Sequence, residues 1–495
     1  METARGDYMV NSAVQPLRQD TISIKTDKFK WATVSIQEVF SNGGRLEASV
    51  FDVEVKQIRE ILQQCKWSKK IISGPGGIVN VFYPARFKRL YVVKSDYPIY
   101  HPSHINEIYP KPADYISGRT KTDIDGLRVK KNQILLTRSG TIGNCTIVGN
   151  TLDSKIFSDD LIRIDAANPK EVGYIYAFLK SKTGQILIKT NNYGAVVDHI
   201  EPEHLANISI PDPPPIIKRH IHDLIMNSFR LRDESNVLMD EAQTLFKVGL
   251  KLPNIEELKP NYFDECSEFQ NFSVNLSMIA GRLDASYHLA AIDSILKHIA
   301  SNAMEVTNVG DPRISLKILM PGIFKRTYVE EGQGTVFIGG KNLLELDPTN
   351  KKYIRLDKLR KIEIENLLIY ENMLLITSRG TIGKVNIVPK HWDGWAASNN
   401  MVHIKPSSDE ISGYLYAWLS SELAYPLIKR LTYGAVVDMI DEDNVAEIPV
   451  PLLRDTVLQQ TINNKVLKAN KKRFDAYQLE QQAMTILDEK VIYAT

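Results

Sequence analysis

The strongest constraint on how this chain of 495 residues folds is that much of its sequence occurs twice. Gly44-Arg45-Leu46-Glu47-Ala48-Ser49 returns 237 residues later as Gly281-Arg282-Leu283-Asp284-Ala285-Ser286. Phe87-Lys88-Arg89-Leu90-Tyr91-Val92 returns at the same distance as Phe324-Lys325-Arg326-Thr327-Tyr328-Val329. Gly140-Thr141-Ile142-Gly143 then matches Gly380-Thr381-Ile382-Gly383, 240 residues on, so the second copy carries a three-residue insertion. Tyr193-Gly194-Ala195-Val196-Val197-Asp198 is repeated without change as Tyr433-Gly434-Ala435-Val436-Val437-Asp438. A period this long exceeds the roughly 20 to 50 residues of solenoid repeats, so the repeated unit is a whole domain. Two like domains in one chain can imitate a homodimer, with a pseudo-two-fold axis between them.

Within each copy, runs such as Leu90-Tyr91-Val92-Val93, Ile134-Leu135-Leu136-Thr137 and Leu374-Leu375-Ile376-Thr377 are aliphatic or β-branched and bounded by turn formers, which predicts strands. Short helices are expected from Arg45 to Leu62 and from Arg282 to Ile299. A further helix from Tyr174 to Ile188, repeated from Tyr414 to Lys429, carries an aromatic and aliphatic face expected in the core. After Pro211-Asp212-Pro213-Pro214-Pro215, which stops preceding structure and can open a helix, apolar residues recur in alternating steps of four and three. Ile217, Ile221, Leu224, Leu231, Leu238 and Leu245 mark this heptad seam, with Ser228, Ser235 and Ala242 between them. The C-terminal segment repeats it through Leu458, Ile462, Leu479, Ala483 and Ile486. Neither narrow stripe can bury itself, so the two helices are expected to pack together, antiparallel. The fold class is thus mixed α/β (α+β), two tandem domains separated by two long helices in an antiparallel coiled coil with pseudo-two-fold symmetry. The expected divisions are an N-terminal arm at 1–30, a first domain at 31–215, a helix at 216–250, a linker at 251–271, a second domain at 272–452 and a helix at 453–495.

Charge adds little, because 61 Lys and Arg face 59 acids for a net +2. A surface for an acidic partner must therefore be made by clustering. Cys65, Cys145 and Cys266 are too far apart for a zinc or disulfide pattern, and a reducing cytosol suits them. No apolar run approaches the roughly 18 residues that a membrane span needs, and the first thirty residues lack a signal-peptide core. Three short matches to catalytic motifs are incomplete. Gly339-Gly340-Lys341-Asn342 lacks the upstream glycine and the Ser or Thr of a phosphate-binding loop. Asp212-Pro213-Pro214-Pro215 has no aromatic residue to stack on a flipped base. Asp488-Glu489-Lys490 falls on the heptad helix. No metal site or catalytic residue is assigned.

The duplicated Arg-Leu-acid-Ala-Ser, the Phe-Lys-Arg-x-Tyr-Val segment, the Gly-Thr-Ile-Gly turn after an aliphatic strand, and Tyr-Gly-Ala-Val-Val-Asp leading into a long helix resemble the type I restriction enzyme specificity subunit family. The resemblance runs from about Trp31 to Glu489. It implies a cytoplasmic, non-catalytic DNA-binding subunit with two target-recognition domains, which reads a bipartite site and directs adenine methylation and restriction by its partners. Those partners would be methyltransferase subunits docked on the helices, and restriction subunits. S-adenosylmethionine would bind to the methyltransferase, and no cofactor to this chain. Type IIB specificity subunits, with a fused methyltransferase and nuclease as partner, share the pattern. A purified chain that cleaved or methylated DNA unaided would instead be an enzyme, and one without salt-dependent DNA affinity a scaffold.

On this resemblance, residues shared by both copies suit phosphate contacts, and segments that differ suit base reading. Arg86, Lys88 and Arg89, with Lys325 and Arg326, are the shared basic cluster. Arg119 and Lys121 in the first copy, and Lys341, Asn342, Lys351 and Lys352 in the second, lie in divergent segments. Arg138 and Ser139 align with Ser378 and Arg379, so the two arginines are one position out of step. On a strand that shift turns a side chain to the opposite face.

Overall fold

The computed structural model describes residues 33–41, 51–112, 114–190, 199–206, 208–252, 273–276, 279, 281–288, 290–434 and 437–494. The arm at 1–30, the first-copy motifs at 44–49 and 193–198 and most of the linker at 251–271 lie outside the described residues. The chain divides into residues 1–57 and 58–495. In the first unit, a short helix spans Ile36–Ser41. The strands of both copies and both long helices belong to the second.

Among the described residues, the first copy contains ten strands: β1 (Lys69–Ile71), β2 (Val79–Phe82), β3 (Tyr91–Val92), β4 (Pro98–Tyr100), β5 (Asp114–Ile116), β6 (Ile134–Thr137), β7 (Cys145–Ile147), β8 (Ile156–Phe157), β9 (Leu161–Ala166) and β10 (Ser209–Pro211). They form sheets ordered β2-β9-β6-β7, β3-β5-β4-β8 and β1-β10. A buried helix, α1 (Val172–Lys180), covers the first sheet, and the long helix α2 (Pro215–Gly249) follows β10. The second copy repeats the plan with β11 (Glu305–Asn308), β12 (Ser315–Leu319), β13 (Tyr328–Val329), β14 (Thr335–Ile338), β15 (Lys352–Ile354), β16 (Leu374–Thr377), β17 (Val385–Ile387), β18 (Ala396–Ala397), β19 (Met401–Pro406) and β20 (Pro449–Leu452). Its sheets run β12-β19-β16-β17, β13-β15-β14-β18 and β11-β20, capped by α3 (Asp409–Leu419) and followed by α4 (Thr456–Leu487). Even the register repeats, with Ile134 opposite Ile164 in one copy and Leu374 opposite Ile404 in the other.

Strands β6 and β16 are buried on both faces, which explains why their sequences are continuously aliphatic rather than alternating. Ile134 and Leu136 join the core under α1, while Leu135 packs with Tyr100 and Phe157 on the other side. The aromatic face of α1 and α3 is core, as its pattern predicts. Tyr174 donates to the Pro211 carbonyl at 2.6 Å and Tyr414 to that of Pro451, tying each capping helix to the strand before its long helix. The predicted 174–188 and 414–429 helices are each broken. A second helix starts at Lys182–Thr190 and at Ala424–Lys429, after Ser181 and Ser421 accept backbone bonds into their own side chains.

The long helix α2 begins at the last proline of the Pro-rich run, where a missing N–H costs nothing, and α4 is capped by Asp455 accepting from the Leu458 N–H at 2.9 Å. They run antiparallel: Ser228 donates to the Ala476 carbonyl at 2.7 Å, and Lys472 and Lys465 pair with Glu234 and Glu241. Their facing seam is rotated from the predicted one. It runs through Ile221, Ile225, Ser228, Arg232, Ser235, Met239, Ala242 and Phe246, and through Ile462, Val466, Ala469, Arg473, Ala476, Glu480, Ala483 and Leu487, all buried but for the largely covered Arg232. Ile221, Ser228, Ser235, Ala242, Ile462 and Ala483 lie on it as expected. Ile217, Leu224, Leu231, Leu238, Leu245, Leu458, Leu479 and Ile486 are only half-buried at its flanks.

The cause of the rotation is that each helix is covered on two sides. Gly173 of α1 lies so close to α2 that an added Cβ would stand 2.7 Å from the His222 carbonyl oxygen. Gly413 of α3 meets Asn463 of α4 in the same way at 2.4 Å. Each domain thus seats on the start of its own long helix, and its core is completed by the end of the other. Ala483, Leu487, Val491 and Ile492 join the first core, and Met239, Ala242 and Phe246 the second. Phe246 stacks on Trp418 with ring centroids 5.5 Å apart. Among the described residues, no helix is long and apolar enough to cross a membrane.

Candidate nucleic-acid interface

The two sheets that contain β3 and β13 gather many of the predicted cations. The pairing of β3 with β5 sets Tyr91 opposite Ile116, and the Ser117 N–H donates to the Leu90 carbonyl at 2.8 Å. Arg86, Lys88 and Arg89, just before β3, are therefore brought beside Arg119 and Lys121, just after β5. In the second copy, Tyr328 opposes Ile354, and the Lys352 ammonium lies 5.3 Å from the Tyr328 ring centroid. Both β3 and β13 are sheet edges, with Tyr91 54% and Tyr328 51% exposed. Lys88 and Lys325 are exposed at matching places, and Arg86, Arg119, Lys121, Arg326 and Lys352 are exposed as well. Cations on an edge strand also discourage edge-to-edge pairing. Here an open aromatic ring accompanies them in both copies.

Other candidates are engaged within the protein. Arg89 is half-buried, donating to the Ser158 hydroxyl at 2.9 Å and to the Asp159 carboxylate. Arg326 makes the equivalent bond, at 3.0 Å, to the Asn399 side-chain oxygen. Asn399 stands where the first copy has Asp159, so the cationic charge is compensated in one copy and retained in the other. Lys351 pairs with Asp347 at 2.5 Å, and Asn342 donates to Glu345 at 3.3 Å.

The Gly-Thr-Ile-Gly turns follow β6 and β16. Gly140 and Gly143 have φ of 71° and 89°, and Gly380 and Gly383 have 74° and 84°, a left-handed conformation that side chains disfavour. The Thr137 and Thr377 hydroxyls close the turns by donating to the Thr141 and Thr381 carbonyls. The out-of-step arginines separate as the strand period requires. Arg138 is 1% exposed, paired with Glu201 at 2.5 Å and stacked 4.3 Å from the Tyr83 ring. Its place inside the domain corrects its expected DNA contact, because Glu201, far along the chain, supplies the buried charge partner. Ser378 is likewise fully buried, and the Ser139 hydroxyl donates to the Asp160 carboxylate. Arg379 is half-exposed. It lines, with Lys341, Lys384 and His104, a cleft of about 670 Å³ between the two copies.

Sequence reasoning missed a charged hub beside this cleft. Glu480, 1% exposed on the α4 seam, accepts from the Tyr176 hydroxyl at 2.7 Å and pairs with Arg232 of α2 and Lys180 of α1. Burial works to raise its carboxyl, but Arg232 and Lys180 override it and hold it at about 2. Arg473, the repeat counterpart of Arg232, is more deeply buried, at 2% exposed, yet its Nε and one terminal nitrogen have no hydrogen-bond partner among the described residues. Charged residues at heptad positions 232, 473 and 480 were the available signal, concealed by the choice of the adjacent stripe.

Residues 76–231 and 334–483 each match the family model described as type I restriction modification DNA specificity domain. Among solved structures, the chain is similar to the S subunit of a type I restriction-modification system from M. genitalium, at 14% identity over 87% of this chain and 96% of that one, with a TM-score of 0.31. It is also similar to the HsdS subunit from Thermoanaerobacter tengcongensis, at 14% identity over 86% and 100%, with a TM-score of 0.25. No curated protein matches it.

Proposed function

Since the chain belongs to the family of type I restriction modification DNA specificity domains, we propose that it is the subunit that reads a bipartite DNA target for a restriction-modification complex. Methyltransferase subunits, which carry S-adenosylmethionine, dock on the helix pair and methylate adenine at the site, and restriction subunits join the same complex in the cytoplasm. The observation that carries this reading is the exposed edge strand with its cations and tyrosine, present at the same register in two domains of identical topology.

In this reading, Lys88, Lys325 and their exposed neighbours hold phosphates of the two half-sites. The divergent segments at 74–81 and 97–125, and at 313–322 and 332–352, read different bases. Two similar readers give two short specified blocks, and the stretch between them stays unspecified. Methylome sequencing of cells with and without the gene tests this. The expected result is one motif of two blocks around unspecified bases, lost with the gene. Exchanging residues 31–215 for those of a relative should change one block alone. A motif that survives deletion of the gene, or an exchange that alters both blocks, would sink the proposal.

A further inference from the structure

The two recognition domains do more than share a helical frame, because they are hydrogen-bonded directly to each other. Glu107 and Glu345 form an antiparallel β-bridge, and the Ile108 N–H donates to the Leu344 carbonyl at 2.9 Å. Glu107 also pairs with Lys384 of the second domain at 3.7 Å. Glu107 and Glu345 follow matching elements of the two copies, β4 and β14 with their short 3-10 turns. The joint is therefore isologous, as two-fold symmetry between like domains requires.

Both sides of the joint are pinned. In the first domain, the Ile108 carbonyl accepts from the buried Asn236 of α2 at 2.9 Å, and Tyr109 donates to Asp240 of the same helix. In the second, the Leu343 carbonyl accepts from Asn386 at 2.7 Å, and the Leu346 carbonyl from the Trp392 indole at 3.2 Å. A change of one base-pair step alters half-site separation by about 3.4 Å. That exceeds the whole length of the 2.9 Å bond across the joint.

We infer that this joint, pinned to the midpoint of the helix pair, fixes the separation of the two half-sites, so that Glu107, Lys384 and the Ile108 N–H determine spacer specificity. The inference rests on the reading of the chain as a bipartite DNA reader. Its test is selection from randomised duplexes by the full chain in complex with its modification subunits. The wild type is expected to enrich two blocks at one spacing. Ile108→Pro, which removes the bridging N–H, should keep both blocks, while its preference for that spacing over the neighbouring ones falls about tenfold, the loss expected for one interdomain hydrogen bond. In case the proline variant fails to fold, Glu107→Lys and Lys384→Glu should each relax the spacing, and the double variant should restore it. Both blocks recovered at one unchanged spacing in these variants would overturn the inference. Failure of the wild type to select any paired blocks would overturn instead the reading on which it rests.

Discussion

Lys88 and Lys325 are exposed residues at equivalent edges whose ammonium groups have no carboxylate within ion-pair distance among the described residues, whereas the adjacent Arg89 is tied to Asp159. They therefore separate DNA binding from folding better than the arginines do. Replacing both with Ala should weaken binding to specific and random duplexes alike. It should also flatten the plot of log affinity against log salt by about 0.9 for each phosphate left without its cation, or roughly 2 in all. Titrations at several salt concentrations measure this, and an unchanged slope would remove both residues from the interface. Arg138 belongs to another class despite lying beside the same kind of turn, since its guanidinium is buried against Glu201 and Tyr83. The sequence exposes the difference between Arg138 and Arg379 as a one-residue shift. It does not say which is inside, because that depends on a carboxylate 63 residues further along the chain.

At the scale of elements, helices α2 and α4 combine an apolar heptad seam with buried charges that are unequally compensated. Glu480 is matched by Arg232 and Lys180, while Arg473 has neither an ion-pair partner among the described residues nor hydrogen bonds for two of its nitrogens. Removing one partner of a buried pair costs about 3 to 5 kcal/mol, whereas replacing a poorly compensated buried ion with an apolar side chain of similar size often stabilises by about 1 to 4 kcal/mol. Glu480→Gln should thus lower, and Arg473→Met raise, the denaturation midpoint. The pH dependence has a definite sign. Glu480 titrates at about 2 when folded against its ordinary 4.5, so its contribution is complete above that ordinary value and is lost as pH falls from about 4.5 toward 2. Unfolding followed between pH 5 and 3 should show a shallower loss of stability in Glu480→Gln than in the wild type. An equal loss would mean that the hub is not what the acid disrupts.

For the whole molecule, the separation of the domains has two determinants: the helix pair, roughly 50 Å long at ~1.5 Å per residue, and the joint through Glu107 and Glu345. Inserting one heptad between Leu231 and Leu238, with another between Lys472 and Leu479, would keep the seam in phase and move the domains apart by roughly 10 Å. A 2.9 Å hydrogen bond cannot span that, so the joint must open. The expected outcome is a methylated motif with unchanged blocks and a spacer longer by about three base pairs, spread over adjacent lengths rather than fixed at one. An unchanged spacer in an assembled, active complex would exclude the helices as a determinant. The sequence by itself determined the duplication, the aliphatic strands β3, β6 and β16, the long helix of each copy, and the antiparallel pairing of those helices. These follow from local periodicity and from apolar faces that need cover, both written in neighbouring residues. Only the tertiary structure decided which stripe of each helix faces its partner, which arginine is buried, and that the two domains touch. Each of those depends on how much surface is covered by residues far along the chain, and a helix buried on two sides shows the same heptad period whichever side meets its partner.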